Sequence, residues 1–285
     1  MTSLVCNGTQ GPNYHGPDVW YHRDVKKTAS FKLTPQRVIY IIIAVIGFIA
    51  LWQLIAINSP RQRIPTPAST FQMMITIFSQ SSGWKQVWIT SYRVILGTMI
   101  GAAIGFGGGI LTRFSATARV IVETLIKPLT QSVPALCWAF IGVLWFGLSD
   151  TTPILVVALS VTPILLSNMT EGLKNLDDNI LEMSKLYTND FWMLTRKIVI
   201  PMVMPFLFAG IKGAFIFAWK IVVLGEMFGA FSGMGYMISL SFDGFQLNRV
   251  FCWTIVFAVI INFFEYVVFR WLDQKYIRKW QYARS

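Results

Sequence analysis

From Val38 to Ile57 the chain runs for about twenty residues without a charged side chain. A helix of that length, rising roughly 1.5 Å per residue, crosses a hydrocarbon core of about 30 Å. Five further stretches are less clean but comparably long: Val87 to Leu111, Val120 to Phe146, Pro153 to Met169, Pro201 to Met227 and Val250 to Trp271. With 54% of residues apolar and 13% charged, and the apolar residues in runs rather than at amphipathic spacing, the chain reads as an all-α membrane protein of six spans.

The net charge of +11 raises a nucleic-acid reading, which its distribution excludes. Arg23, Lys26, Lys27, Lys32 and Arg37 precede the first span. Lys174, Lys185, Arg196 and Lys197 lie in the long central loop, and Arg270, Lys275, Arg278, Lys279 and Arg284 close the chain. With six spans these segments, and the link from Arg113 to Arg119, share one side. The other side carries little more than Arg61, Arg63 and Lys85. The positive-inside rule therefore places both termini and the central loop in the cytoplasm. The polar N-terminal stretch lacks a short apolar core with a small-residue cleavage site, so no removable signal peptide is expected. Asn7-Gly-Thr matches a glycosylation acceptor that a cytoplasmic tail would not present. Cys6, Cys137 and Cys252 are too few and too scattered for a disulfide framework or a metal site.

After the first span, Pro65 and Pro67 fix an extended entry and the adjoining Ser and Thr can cap a helix. Phe71, Met74, Ile75 and Phe78 then recur at helical spacing, which predicts a short helix at the outer membrane surface or packed on the bundle. The second span carries Gly97, Gly101, Gly105 and Gly109 at a spacing of four, a backbone-exposed stripe on which another helix can pack closely. Pro128, Pro134, Pro153 and Pro163 interrupt the third and fourth spans. Such breaks free carbonyl groups and, in transporters, line a cavity, although each is also readable as a simple kink. No internal repeat is visible.

In the central loop Leu176, Ile180, Met183 and Tyr187 recur at helical spacing with the charges elsewhere, predicting a short amphipathic helix outside the membrane. Asn179 and Glu182 have capping-box spacing, so Glu182 either holds its own helix start or meets a partner. Thr188-Asn-Asp190 offers a turn and a new cap, and Phe191, Trp192, Leu194 and Thr195 open a second helix running toward Pro201. Tyr187, Phe191 and Trp192 on such a loop make an exposed apolar patch of the kind that marks an interaction site.

The layout of Glu182, the turn at Thr188 and the Ile200-Pro201 pair resembles the "EAA" loop of bacterial ABC importer permeases. From about Trp84 to Trp280 the chain is similar to the permease branch that imports taurine, other sulfonates, nitrate and bicarbonate, with relatives for pyrimidine vitamin precursors. The matching segments are Ser91-Tyr-Arg93-Val-Ile-Leu-Gly97, Leu144-Trp-Phe-Gly147, Trp192, Ile200-Pro201, Gly225-Glu226-Met-Phe-Gly-Ala230 and Gly233-Met-Gly235-Tyr236. The resemblance implies a type I importer bundle with cytoplasmic coupling helices in a bacterial inner membrane. Its expected parts are a cytoplasmic tail (1–37), a first span (38–57), a periplasmic loop with a short helix (58–86), a permease core (87–271) with a coupling loop (171–200), and a basic tail (272–285). Glu182, Ser184, Tyr187, Thr188, Trp192 and Pro201 would form the contact to a separate ATPase. Thr188 stands where the family's turn has glycine, and Met183-Ser184 where it has two alanines. A β-branched residue resists positive φ, so the turn takes another geometry or the loop fits a different ATPase groove, and a second, different permease becomes a possible partner.

The chain has no Walker A pattern, since Gly107-Gly-Gly109 lacks the Lys and Ser/Thr that must follow. The resemblance implies no catalytic, metal or cofactor site in this chain. ATP and magnesium would be held by a pair of ATPase subunits, with a second permease copy or paralogue beside the chain and a periplasmic or lipid-anchored substrate-binding protein outside. In the fifth span Trp219, Lys220 and Glu226 are candidates for the translocation path. A charge near mid-membrane costs at least about 2.5 kcal/mol, so Lys220 should face protein or water, where it either meets an anionic substrate or pairs with an acid. Arg93, Glu123 and Glu265 lie nearer span ends and read as interfacial anchors. A gradient-driven transporter or channel would explain the kinked spans but leaves the central loop without a role, and a membrane scaffold is a further possibility. An intramembrane enzyme built on histidine is excluded, because His15 and His22 are the only histidines and both lie in the N-terminal tail.

Overall fold

The computed structural model describes residues 35–59, 64–176, 182–183, 190–269 and 271, and among them there is no strand. Ser184, Tyr187, Thr188, the N-terminal tail with its cysteine, sequon and histidines, and residues 272–285 lie outside the described residues.

Helix α1 spans Pro35–Asn58, α2 Pro67–Phe78 and α3 Ser81–Phe114. Helix α4, Ala116–Ile121, continues through a π-helical turn, Val122–Ile126, into α5, Lys127–Ser132. Then come α6, Ala135–Phe146, and α7, Thr151–Lys174. Helix α8, Phe191–Leu194, passes through a second π turn, Thr195–Val199, into α9, Ile200–Gly229. Helices α10, Met234–Asp243, and α11, Leu247–Phe263, complete the bundle, and α11 ends in a third π turn, Phe264–Phe269. A boundary between two compact units falls inside α1, after Leu51, and the packing described below belongs to the unit that starts at Trp52.

Among the described residues, five helices are long and apolar enough to cross a membrane. The expected third span is not straight: α4–α5 and α6 meet at 87°, so a sixth crossing is counted only if this bent pair is one span. Pro134 forces the bend. It is the N-cap of α6, and Val133 before it is extended, as the clash with a proline ring requires. The four prolines expected to open a path are placed more economically. Pro153 sits in the first turn of α7 and Pro134 at a cap, where a missing N–H leaves no bond unmade; Pro128 follows the π turn within the continuous α4–α5 helix, and Pro163 lies within α7. Two of the π turns end just before a proline, Pro128 and Pro201, whose rings would otherwise press on carbonyls four residues back.

Helix α7 is the axis of the unit. It is the least apolar of the five candidate spans and the most buried, and its most extensive contacts are with α3 and α9. The glycine stripe of α3 lies along it. A Cβ on Gly97 would come 2.7 Å from Val157, one on Gly105 2.8 Å from Leu165 and one on Gly109 2.5 Å from Met169, while Gly101 abuts Val161 and the Ala158 carbonyl. Each glycine thus admits one knob of α7, four residues apart on both helices. On the other side, α9 presents a second small-residue seam, Gly210, Ala214, Ala218, Gly225 and Gly229. Of these, Gly225 receives Pro153, Gly229 receives Thr152 and Gly210 receives Asn168.

Helix α2 is capped by Thr66, whose hydroxyl accepts the Ser69 N–H at 3.2 Å, with Pro67 opening the helix. Met73, Met74, Ile77 and Phe78 face the core, and Phe78 meets Trp253 edge-on at 5.9 Å. The helix is therefore packed on the bundle, chiefly on α11, with Phe71 and Ile75 along its exposed edge.

Candidate functional site

Three of the motif segments converge at one end of the bundle. Arg93, 1% exposed, enters from α3 and meets Glu226, wholly buried near the end of α9, at 2.8 Å. One amino group of Arg93 also donates to the Ser232 carbonyl at 2.7 Å; the other donates to the Ser232 hydroxyl at 2.8 Å and to the exposed carboxylate of Asp150. The second Glu226 oxygen accepts the Thr90 hydroxyl at 3.0 Å and the Gly235 N–H at 2.8 Å. Thr90 in turn accepts the Met234 N–H at 2.9 Å, and Gln86 accepts the Gly233 N–H at 2.6 Å.

The segment after α9 is thus strapped onto α3 through buried polar bonds. Gly233 adopts φ +102°, which an L side chain resists, and a Cβ there would enter the Glu226 carboxylate. At Gly235 a Cβ would lie 2.6 Å from the Val223 carbonyl. Both glycines are explained by this close approach. The connection is tightened from α6: Gly147, at φ +67°, ends that helix, and the Thr152 hydroxyl donates to its carbonyl at 2.8 Å. The Ser149 N–H donates to the Gly229 carbonyl at 2.9 Å.

Arg93 is therefore not an interfacial anchor. Neither it nor Glu226 could remain ionised inside alone, and each supplies the countercharge the other requires. The sequence held a usable signal. Spans two and five run in opposite directions, so a charge near the start of one and a charge near the end of the other fall at the same end.

Of the three residues expected on a path, two are packed inside the chain. Trp219 is 1% exposed and stacks on Phe264 at 5.4 Å, and Glu226 belongs to the strap. Lys220 alone is exposed, about two thirds of the way along α9, and no carboxylate pairs with it among the described residues. The three do not form one site, because neighbouring positions on a helix point about 100° apart.

At the other end of the bundle, Glu182 and Met183 are exposed and Trp192 is 70% exposed. The Asp190 carboxylate accepts the Trp192 N–H at 2.9 Å, capping the start of α8, and Pro201 opens α9. Glu182 and Leu194 border an apolar cleft of about 650 Å³ between the ends of α3 and α7 and the start of α9. Among the described residues no group of His, Cys, Asp and Glu could hold a metal ion.

A bundle of long apolar helices, without strands among the described residues, with a buried polar strap at one end and an exposed, capped helical segment at the other, is the architecture of a multi-pass membrane protein. The chain belongs to the family of binding-protein-dependent transport system inner membrane components, which it matches over residues 94–278. It is 29% identical over 236 residues to the putative aliphatic sulfonates transport permease protein SsuC of Bacillus subtilis, covering 82% of this chain and 84% of that one. It is 28% identical over 204 residues to the nitrate import permease protein NrtB of Synechococcus elongatus (67% and 72% covered). It is 24% identical over 229 residues to the bicarbonate transport system permease protein CmpB of the same organism (76% and 80%). Its fold is shared with a chain of the inward-facing MetNI methionine ABC transporter, at TM-score 0.56 and 15% identity over 73% of this chain and 97% of that one. The chain is an ABC transporter permease, a class whose partners are ABC ATPase subunits.

Proposed function

We propose that this permease forms the translocation path for a small anion of the sulfonate, nitrate or bicarbonate kind. The observation that carries this reading is Lys220, a cation exposed about two thirds of the way along a mainly apolar helix, where no carboxylate among the described residues pairs with it. A lysine held at that depth is costly unless water or an anion meets it. The names of the relatives point to the same charge class. In this reading both termini face the cytoplasm of a bacterial inner membrane and a binding protein delivers the solute from the opposite side. ATP and magnesium are bound by the ATPase pair and not by this chain. The test is uptake of labelled sulfonate, nitrate and bicarbonate into vesicles holding the reconstituted transporter. Lys220→Met should reduce anion uptake at least about tenfold, the effect of losing one charge-assisted contact of about 1.5–3 kcal/mol. Unchanged uptake and unchanged substrate preference would overturn the assignment of Lys220.

The segment bearing Glu182 and Trp192 is proposed as the ATPase contact, together with Ser184, Tyr187, Thr188 and Pro201. An exposed tryptophan beside an apolar cleft is the kind of surface a partner covers. Glu182→Ala/Trp192→Ala should leave ATP hydrolysis running while uptake is lost. Full transport by that double variant would remove the coupling role.

A further inference from the structure

We infer that the strap end of the bundle carries a binding site for a small free oxyanion, centred on Arg249. A recess of about 90 Å³ opens there between α2, α10 and the starts of α3 and α11. Its polar lining is Gln80, Ser82, Gln86, Arg249 and Trp253, with no carboxylate among them. Helices α3 and α11 both begin at the recess, and neither start is capped by a side chain. Each such start carries roughly half a positive charge on N–H groups that lack an intrahelical partner. Arg249 lies in the first turn of α11, the end of a helix at which a cation is least favoured. It has no ion pair among the described residues, and Asp243, the acid nearest to it in sequence, is not part of the wall. A guanidinium and two positive helix ends therefore meet in one recess whose lining holds no countercharge.

The uncharged members of the wall add donors rather than acceptors. Gln86 uses its carboxamide oxygen to accept the Gly233 N–H at 2.6 Å, which leaves its NH2 group. Trp253 is 1% exposed, and its buried indole N–H has no acceptor among the described residues. Neither a carboxamide NH2 nor an indole N–H can do anything but donate, so an anion is the ligand that this set selects. Size narrows the class. Drug-sized ligands occupy about 300 Å³ or more, so the recess takes one compact group such as sulfate, nitrate or a sulfonate head. The acids outside the described residues belong to other parts of the chain. Asp18 and Asp24 precede α1, and Asp177, Asp178 and Asp273 follow the ends of α7 and α11 remote from the strap. Residues 60–63 precede the first turn of α2, whereas its last turn borders the recess.

The inference rests on this recess and not on Lys220 or the transported solute, and its test involves no transport. An anion held between α2, α3, α10 and α11 ties four helices together, so its binding raises stability by mass action. The full-length chain in detergent is unfolded thermally in sodium chloride, with sulfate, nitrate or methanesulfonate replacing chloride at constant ionic strength. At least one of the three should raise the midpoint along a saturating curve. Arg249→Gln should weaken the apparent affinity at least about tenfold, the effect of losing a charge-assisted contact, and Arg249→Lys should retain part of it. Arg249 is exposed, so the fold survives the change. Lys85→Gln removes an equal charge from the exposed side of the α3 start and should alter the affinity less than about twofold. The absence of a saturating shift with all three anions, or the same shift in Arg249→Gln as in the parent chain, would overturn the site. A shift lost in Lys220→Met but kept in Arg249→Gln would place the anion on the translocation path and overturn it equally.

Discussion

Arg93→Met should all but abolish recovery of folded permease. The substitution strips the wholly buried Glu226 of its countercharge, so the carboxyl must either stay ionised uncompensated or take up a proton, and it removes the donors to the Ser232 carbonyl and hydroxyl. Breaking a buried pair from one side costs about 3–5 kcal/mol, which at about 1.4 kcal/mol per tenfold shifts the folded population by more than a hundredfold. The yield of monodisperse protein and its thermal unfolding in detergent measure this. Arg93→Lys should fall between, because one ammonium cannot repeat the guanidinium fork that serves Glu226, Ser232 and Asp150 together. The informative variant is Arg93→Met/Glu226→Gln. It removes both charges but keeps a carboxamide oxygen for the Gly235 N–H and the Thr90 hydroxyl. If the penalty is an orphaned charge, the double variant recovers most of the lost stability. A double variant no better than Arg93→Met would place the effect in packing and refute the electrostatic account.

Gly101→Leu should be comparably damaging, for a steric reason. The smallest side chain at that position already enters Val161 and approaches the Ala158 carbonyl at 2.9 Å, and α7 cannot retreat because α9 holds its other side. Overpacking of an ordinary core costs about 1–3 kcal/mol, and a helix–helix seam closed at backbone distance has less room than most. Gly107, six residues along the same helix and off the stripe, has no atom within 4 Å of where its Cβ would stand, so Gly107→Ala should be neutral. Comparison of Gly101→Ala with Gly107→Ala by thermal unfolding isolates the seam. Equal effects would mean that the stripe is a matter of helix propensity and not of packing.

Which structural facts were legible in advance follows from what each depends on. The long apolar runs, the α3 stripe and the helix start before Phe71 are local. Each is set by a period or a cap within one segment, so the sequence displays it directly. From the sequence Arg93 reads as an interfacial anchor because distance from a span end says nothing about which neighbour a side chain meets. Its partner lies 133 residues away, and only antiparallel packing of α3 and α9 brings the two together. The bend at Pro134 is not legible in the sequence because the apolar residues continue through it; hydropathy records length and not direction. Among the residues named for a path, Trp219 and Glu226 share a helix with Lys220 but not its face.

By itself the sequence determined that this chain must be helical and lie in a membrane, because runs of twenty apolar residues can satisfy their backbone only within themselves. Its motifs also point to the family, which the match over residues 94–278 bears out. Tertiary structure alone decided that the least apolar span is the central one. Helix α7 carries Thr152, Ser160, Thr162 and Thr170 because it faces α3 and α9 rather than lipid, and small side chains allow that approach. It likewise decided that two opposite charges from distant spans become a buried pair. Burial depends on which helices surround a residue, and those neighbours come from other parts of the chain.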